Sequence, residues 1–216
     1  MNRHSIGIMV FLVLAATGCQ SMYNATMENV FGYEKRELLT KSVAALREDQ
    51  QEAQEEFKDA ITQIKELYGF QGGELEDTYN RIKSAYEDAK AQAEVVNKRV
   101  ANMEGIAKSM FAEWEGEIKQ FTNPAFAADS RRQLAETRAR YAQLSKSVRA
   151  SEKSMPPVLK QLNDYVLYLK HNLNAASIGS LKGEAGSIQT QVEQLIQRMN
   201  ASIAEADAFI QSMPKG

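Results

Sequence analysis

Apolar residues recur along this chain in alternating steps of three and four, the spacing that keeps one side chain per turn on a single helix face. From Leu39 the series passes through Val43, Leu46, Gln50, Ala53, Phe57, Ala60, Ile64 and Leu67, with Gln50 its one polar member. GFQGGE, residues 69–74, then interrupts the pattern as glycine-rich turns do. A second series starts at Leu75 and runs through Tyr79, Ile82, Tyr86, Ala89, Ala93, Val96, Val100, Met103, Ala107, Met110, Trp114, Glu117 and Phe121. TNPAFAA, residues 122–128, ends it, because the residue before a proline avoids the helical region.

The third series comprises Leu134, Thr137, Tyr141, Leu144, Val148, Ser151, Met155, Val158, Leu162, Tyr165, Leu169, Asn172 and Ala176. It keeps its phase across Pro156 and Pro157, which a loop would have no reason to do. The spacing therefore predicts one rod kinked at the prolines, its halves facing the same core. A clean break is the alternative, since prolines inside a helix cost several kcal/mol. The fourth series is Leu181, Ala185, Ile188, Val192, Leu195, Met199, Ser202, Ala206, Phe209 and Met213, and Gly179, Gly183 and Gly186 weaken its start by about 1 kcal/mol each. Glu94–Lys98, Glu115–Lys119 and Glu136–Arg140 sit four apart on solvated faces and add modest support.

Short connections between four rods imply antiparallel neighbours. The expected fold is all-α: an elongated antiparallel bundle or coiled coil, roughly 65–70 Å long at 1.5 Å per residue. Two hairpins packed less intimately form the alternative. One end should gather residues 24–32, the 122–128 loop and the C-terminus. The other should gather the 69–74 turn and the bend near 177–183, placing Gly72 near Gly179 and both far from Pro124. The fourth rod is about a dozen residues shorter than the third, so Phe111, Trp114 and Phe121 are expected to be incompletely covered. The methionines and aromatics on the stripes read as core.

Ahead of the first stripe stands a segment of different character. Arg3 is followed by an apolar run from Ile6 to Ala16, then Thr17, Gly18 and Cys19, the only cysteine. A cationic start, a short apolar run and small residues describe a secretory signal, too short to span a bilayer as a helix. A lone cysteine could be a nucleophile, a metal ligand, half of an intermolecular disulfide or a lipid-attachment site. ATGC resembles the lipobox of bacterial lipoproteins, in which cleavage before cysteine frees its thiol for diacylglycerol. Ala16 departs from the leucine usual at that place. Gln20 follows Cys19 where inner-membrane retention in such lipoproteins uses aspartate, so the resemblance implies the outer membrane, facing the periplasm. Two or three acyl chains, palmitate among them, would anchor stably where one would not. The expected organisation is a signal peptide over 1–19, a short tether over 20–27 and one helical domain over 28–214.

Composition narrows the function classes. Loss of residues 1–19 leaves 25 basic residues against 28 acidic ones, a balance that disfavours nucleic acid as a partner. No disulfide framework can form from one cysteine. His171 is the one histidine past residue 19, and Tyr168 stands where a Glu-x-x-His di-iron motif would need glutamate. A zinc site lacks its ligands, and GSLKGEAG lacks the spacing of a phosphate-binding loop. Neither cofactor, metal nor catalysis is expected, and the chain reads as a non-enzyme.

FGYEKRELL, GGELEDTYN, EWEGEIKQ, RQLAETRARY, VLYLKHNLNAASIGSLKGE and ASIAEADAFI occur in that order. Together they resemble an uncharacterised family of proteobacterial lipoproteins catalogued as a domain of unknown function (DUF2959-like). The resemblance spans nearly the whole chain past the signal. It implies an envelope location and a helical domain, and transfers no catalytic residues.

Two polar clusters are candidate contact surfaces. Lys170, His171, Asn172 and Asn174 stand beside the last turn before a bend, either capping carbonyls or meeting an envelope protein or glycan. Arg131, Arg132, Arg138 and Arg140 crowd the start of the third rod against Asp129 and Glu136, either solvated or facing anionic lipid head groups. The function expected is a lipid-anchored structural or adaptor protein whose partners are the membrane, other envelope proteins and further copies of itself. The alternative is a carrier whose bundle holds a lipid or other apolar ligand, for which methionine-rich stripes could repack.

Overall fold

A computed structural model describes residues 19–68, 75–172 and 174–213; the side chains of 19–34, 68, 175–177, 180 and 183–185 lie outside that description. The signal run, the GFQGGE turn and Gly72 lie outside it too. Five helices follow one another: α1 (Cys19–Tyr68), α2 (Leu75–Ile118), α3 (Pro124–Glu152), α4 (Met155–His171) and α5 (Ala175–Ser212). α1 begins at Cys19 and runs helically through 20–27, the segment expected as a tether.

α3 and α4 form one rod with a bend of 14°, so the architecture is an all-α bundle of four rods. Met155 and Leu162 both face the core, as the continuous phase predicts. The bend is gentle because Pro156 and Pro157 occupy the first turn of α4, where backbone N–H groups have no intrahelical partner to lose. The two residues between the helices stay bonded: the Lys153 amide donates to the Arg149 carbonyl at 3.1 Å and the Ser154 amide to the Ser151 carbonyl at 3.0 Å.

Cross-helix pairs set the register. Arg99 of α2 meets Asp49 of α1 at 2.6 Å, and Lys35 of α1 meets Glu113 of α2 at 2.5 Å. Between α1 and α5, Arg47 pairs with Asp207 and Gln54 donates to Asn200, both at 2.9 Å. Arg149 of α3 holds Glu104 of α2, and Arg198 of α5 holds the Ser154 hydroxyl. In every pair, rising numbers on one rod meet falling numbers on its neighbour, so the rods are antiparallel. The 119–123 turn and the end of α5 fall at one end, and Asn172 and the start of α5 at the other.

All nine members of the first stripe are buried, Gln50 included. In the other three stripes the core side chains are likewise aligned, with Val96, Val100, Met103, Leu144, Val148, Ile188 and Leu195 at most 1% exposed. The heptad spacing is thus the arrangement of the core itself.

Candidate functional site

The end holding the 119–123 turn brings together most of the unusual side chains. α2 closes with the Lys119 amide donating to the Gly116 carbonyl at 3.2 Å and Gln120 to Glu117 at 2.9 Å. Asn123 then caps α3, its side-chain oxygen accepting from the Ala125 amide at 2.9 Å, with Pro124 pre-setting the first helical φ. Trp114 ties the two helices, its indole N–H donating to the Ser130 hydroxyl at 2.9 Å.

α5 ends short of this turn, as its stripe predicts. Arg140 donates to the Ser212 carbonyl at 3.2 Å, so residues 124–139 of α3 extend beyond the last turn of α5. The consequence expected for the aromatic residues holds for one of three. Phe121 is 45% exposed, whereas Trp114 and Phe111 are 7% and 8% exposed. Arginines supply the missing cover. The Arg36 guanidinium lies 4.7 Å from the Trp114 ring centroid, and that of Arg138 lies 5.2 Å from Phe111. Each places a planar cation on an aromatic face while its edge stays in water. Further in, Phe111, Tyr141 and Phe209 stack edge to face with centroids 5.5 and 6.1 Å apart. Burial, and then the charge of Glu104, push the Tyr141 hydroxyl up to about 12.

The sequence-predicted arginines divide by role. Arg138 pairs with Glu115 at 2.5 Å, and its hydrogen bond and charge hold that carboxyl below its ordinary range. Arg132 pairs with Asp129 one turn earlier, and Arg131 is exposed. Glu115 thus reaches across to α3. Burial, followed by Glu113, raises the Glu117 carboxyl. Cys19, the predicted lipid-attachment residue, starts α1 at this same end, with its side chain outside the description. Five residues past the Lys35–Glu113 pair, α2 ends level with position 30 of α1. α1 then continues for about 11 residues, or roughly 16 Å at 1.5 Å per residue, before Cys19.

At the opposite end the polar phrase serves the bend. Asn172 donates through its side chain to the Tyr168 carbonyl at 2.9 Å and through its amide to Leu169 at 3.1 Å. The Asn174 carbonyl accepts from Ile178 at 3.2 Å, opening α5. Lys170 and His171 complete the last turn of α4, where cations oppose the carbonyl end of the helix. Both are exposed, as are Leu167 and Tyr168. An open groove of about 300 Å³ follows, lined by Gln161, Asp164, Tyr165, Tyr168, Leu181, Ser187 and Ile188; the Tyr165 hydroxyl crosses it to the Leu181 carbonyl at 3.3 Å.

Two features of the site escape the periodicity. Phe126 is 61% exposed and lies off every stripe, an aromatic residue in the first turn of α3, just past Pro124. Arg36 stands three residues before Leu39, in step with the first stripe, but a charged side chain extends no apolar series, and its place over Trp114 depends on how two helices are juxtaposed. Among the described residues no group of three or more His, Cys, Asp and Glu is arranged to hold a metal ion. Among them, too, no helix is long and apolar enough to cross a membrane.

Among known proteins, a family model described as a protein of unknown function (DUF2959) aligns with residues 23–213. No curated protein matches the chain.

Proposed function

Since the chain belongs to this family of unknown function, which brings no assigned chemistry with it, we propose a role from its form: a lipid-anchored adaptor of the bacterial cell envelope. It is held at the outer membrane through Cys19, faces the periplasm and acts through protein contacts without catalysis. The observation that carries this reading is the continuity of α1. One helix of 50 residues runs from the core straight out to Cys19, immediately behind a signal-like apolar run. A rod fixed at one end in this way holds its other end, with Leu167, Tyr168, Lys170 and His171 exposed, at a set distance from the bilayer.

The carrier reading has less support. Phe57, Met103, Leu144 and Leu162 are at most 1% exposed, so the core is already filled by its own side chains. An apolar guest would have to displace them at a cost of a few kcal/mol each.

Substitution of Cys19→Ser in cells expressing the full chain tests the proposal. The expected outcome is loss of palmitate labelling and release from the outer-membrane fraction, or retention of the uncleaved precursor. Normal processing and membrane partition of that variant would sink the anchor. Stoichiometric lipid beyond the N-terminal chains in the purified protein would favour the carrier.

A further inference from the structure

We propose that the turn between α2 and α3, together with the first turn of α3, is a membrane-contact tip that seats Phe121 and Phe126 in the interface of a phospholipid bilayer. The proposal rests on the anchored reading for the choice of surface, and on the turn's own structure for the contact.

The two rings are not needed to build the turn. Asn123 caps α3, the Gly116 and Glu117 carbonyls close α2, and Trp114 bonds Ser130. Yet every residue from Phe121 to Phe126 is exposed, whereas the other described aromatic residues of the stripes are buried or half-buried. Charge selects the occupant. From Ile118 to Ala128 there is no carboxylate, and Lys119 is the single charge. Of the flanking acids, Glu115 is held by Arg138, Asp129 is held by Arg132 and Glu117 is half-buried, while Lys119 and Arg131 are exposed. Phenyl rings with cations beside them and no carboxylate between suit a headgroup region, where rings sink and cations stay at the surface. Size points the same way: a stable protein interface covers about 800 Å² per partner and draws on about 20–30 residues, far more than the run from Phe121 to Phe126. Because Cys19 lies roughly 16 Å beyond the end of α2, acyl chains and tip meet one surface only when the rod leans.

The chain carries its own reporter. Trp114 is the sole tryptophan and sits about one turn of α2 before Ile118. The acylated protein is reconstituted in phosphatidylglycerol–phosphatidylcholine vesicles containing lipids brominated near the head group, and Trp114 quenching is compared with that of Phe121→Ser/Phe126→Ser. The variant should stay vesicle-bound through its acyl chains while its quenching falls at least twofold. Equal quenching would overturn the proposal. As a second measurement, Phe126→Trp in a Trp114→Phe background should shift its emission to the blue on vesicles, and an unchanged spectrum would also overturn it. The unacylated Cys19→Ser chain separates the two readings: it should float weakly with phosphatidylglycerol vesicles, and the serine pair should abolish this. If the native chain proves unacylated, the anchor fails while this arm still decides the tip. A lipid-free dimer broken by Phe126→Ser would assign the tip to a second copy and overturn the membrane contact.

Discussion

Gln50 is wholly buried on α1, and neither its amide oxygen nor its amide nitrogen meets a hydrogen-bond partner; the hydroxyls of Ser151 and Ser202, also wholly buried, are in the same state. The Arg47–Asp207 and Gln54–Asn200 pairs bracket Gln50 and Ser202, and the Arg140–Ser212 and Arg198–Ser154 contacts bracket Ser202 and Ser151. The three therefore share one level of the bundle. An unmet buried polar group costs about 1–3 kcal/mol, and a polar layer of this kind is best attested as a register device, since a slip would set polar groups against apolar ones. Gln50→Leu is expected to raise the unfolding free energy in urea by about 1–3 kcal/mol; a lower value would show that the amide is satisfied in solution. Gln50 is legible as the one polar step of its stripe. Its alignment with Ser151 and Ser202 is not, because a stripe gives the phase of one helix and says nothing of its height against the next. Arg36 over Trp114 is hidden for the same reason.

Among the elements, the α3–α4 rod shows what periodicity can and cannot resolve. Unbroken phase across Pro156 and Pro157 is enough to place both halves on one core, because only a nearly straight path keeps a 3.5-residue repeat aligned. The manner of the break was open between kink and interruption, and the structure combines them: a two-residue gap in the helix with a 14° bend. The Ser154 hydroxyl accounts for this by donating to the Ala150 carbonyl at 2.7 Å while Arg198 donates to it from α5. The prolines withhold amides only from the carbonyls of Glu152 and Lys153, at the break where α3 has already ended, and the Ser154 hydroxyl takes the Ala150 carbonyl that its own amide leaves for Ser151. Pro157→Ala should accordingly change stability by less than about 1 kcal/mol, far below the roughly 3 kcal/mol at stake for a proline in a helix interior. Chemical denaturation of the two proteins checks this, and a gain near the larger figure would mean that the break is strained.

At the scale of the molecule, the ends were legible as groupings of turns, and the geometry agrees wherever it is described: α5 stops beside Arg140, and the 119–123 turn stands clear of it. The exposed Phe126 was not legible, since periodicity marks only side chains that return to the core. What the antiparallel register sets in addition is an order of assembly. Midway along their contact α1 meets α2 through residues 50 apart, Arg99 and Asp49, but it meets α5 through residues 146 and 160 apart. Tripling the loop adds about 1 kcal/mol of closure entropy, so the contacts of α1 with α2 close at a lower entropic cost than those with α5. The α1–α2 hairpin should therefore form early and α5 dock last, onto a seam that carries Arg47–Asp207, Gln54–Asn200 and the unmet Gln50–Ser202 level. Elements that close last against polar seams open first. Amide hydrogen exchange in the folded protein should show α5 exchanging through a lower-energy opening than residues 43–64 and 89–110; uniform protection would mean that the four rods open as one. The helix that completes the rod is then also its latch: while α5 is open, the face of α1 that carries Arg47, Gln50 and Gln54 lies bare.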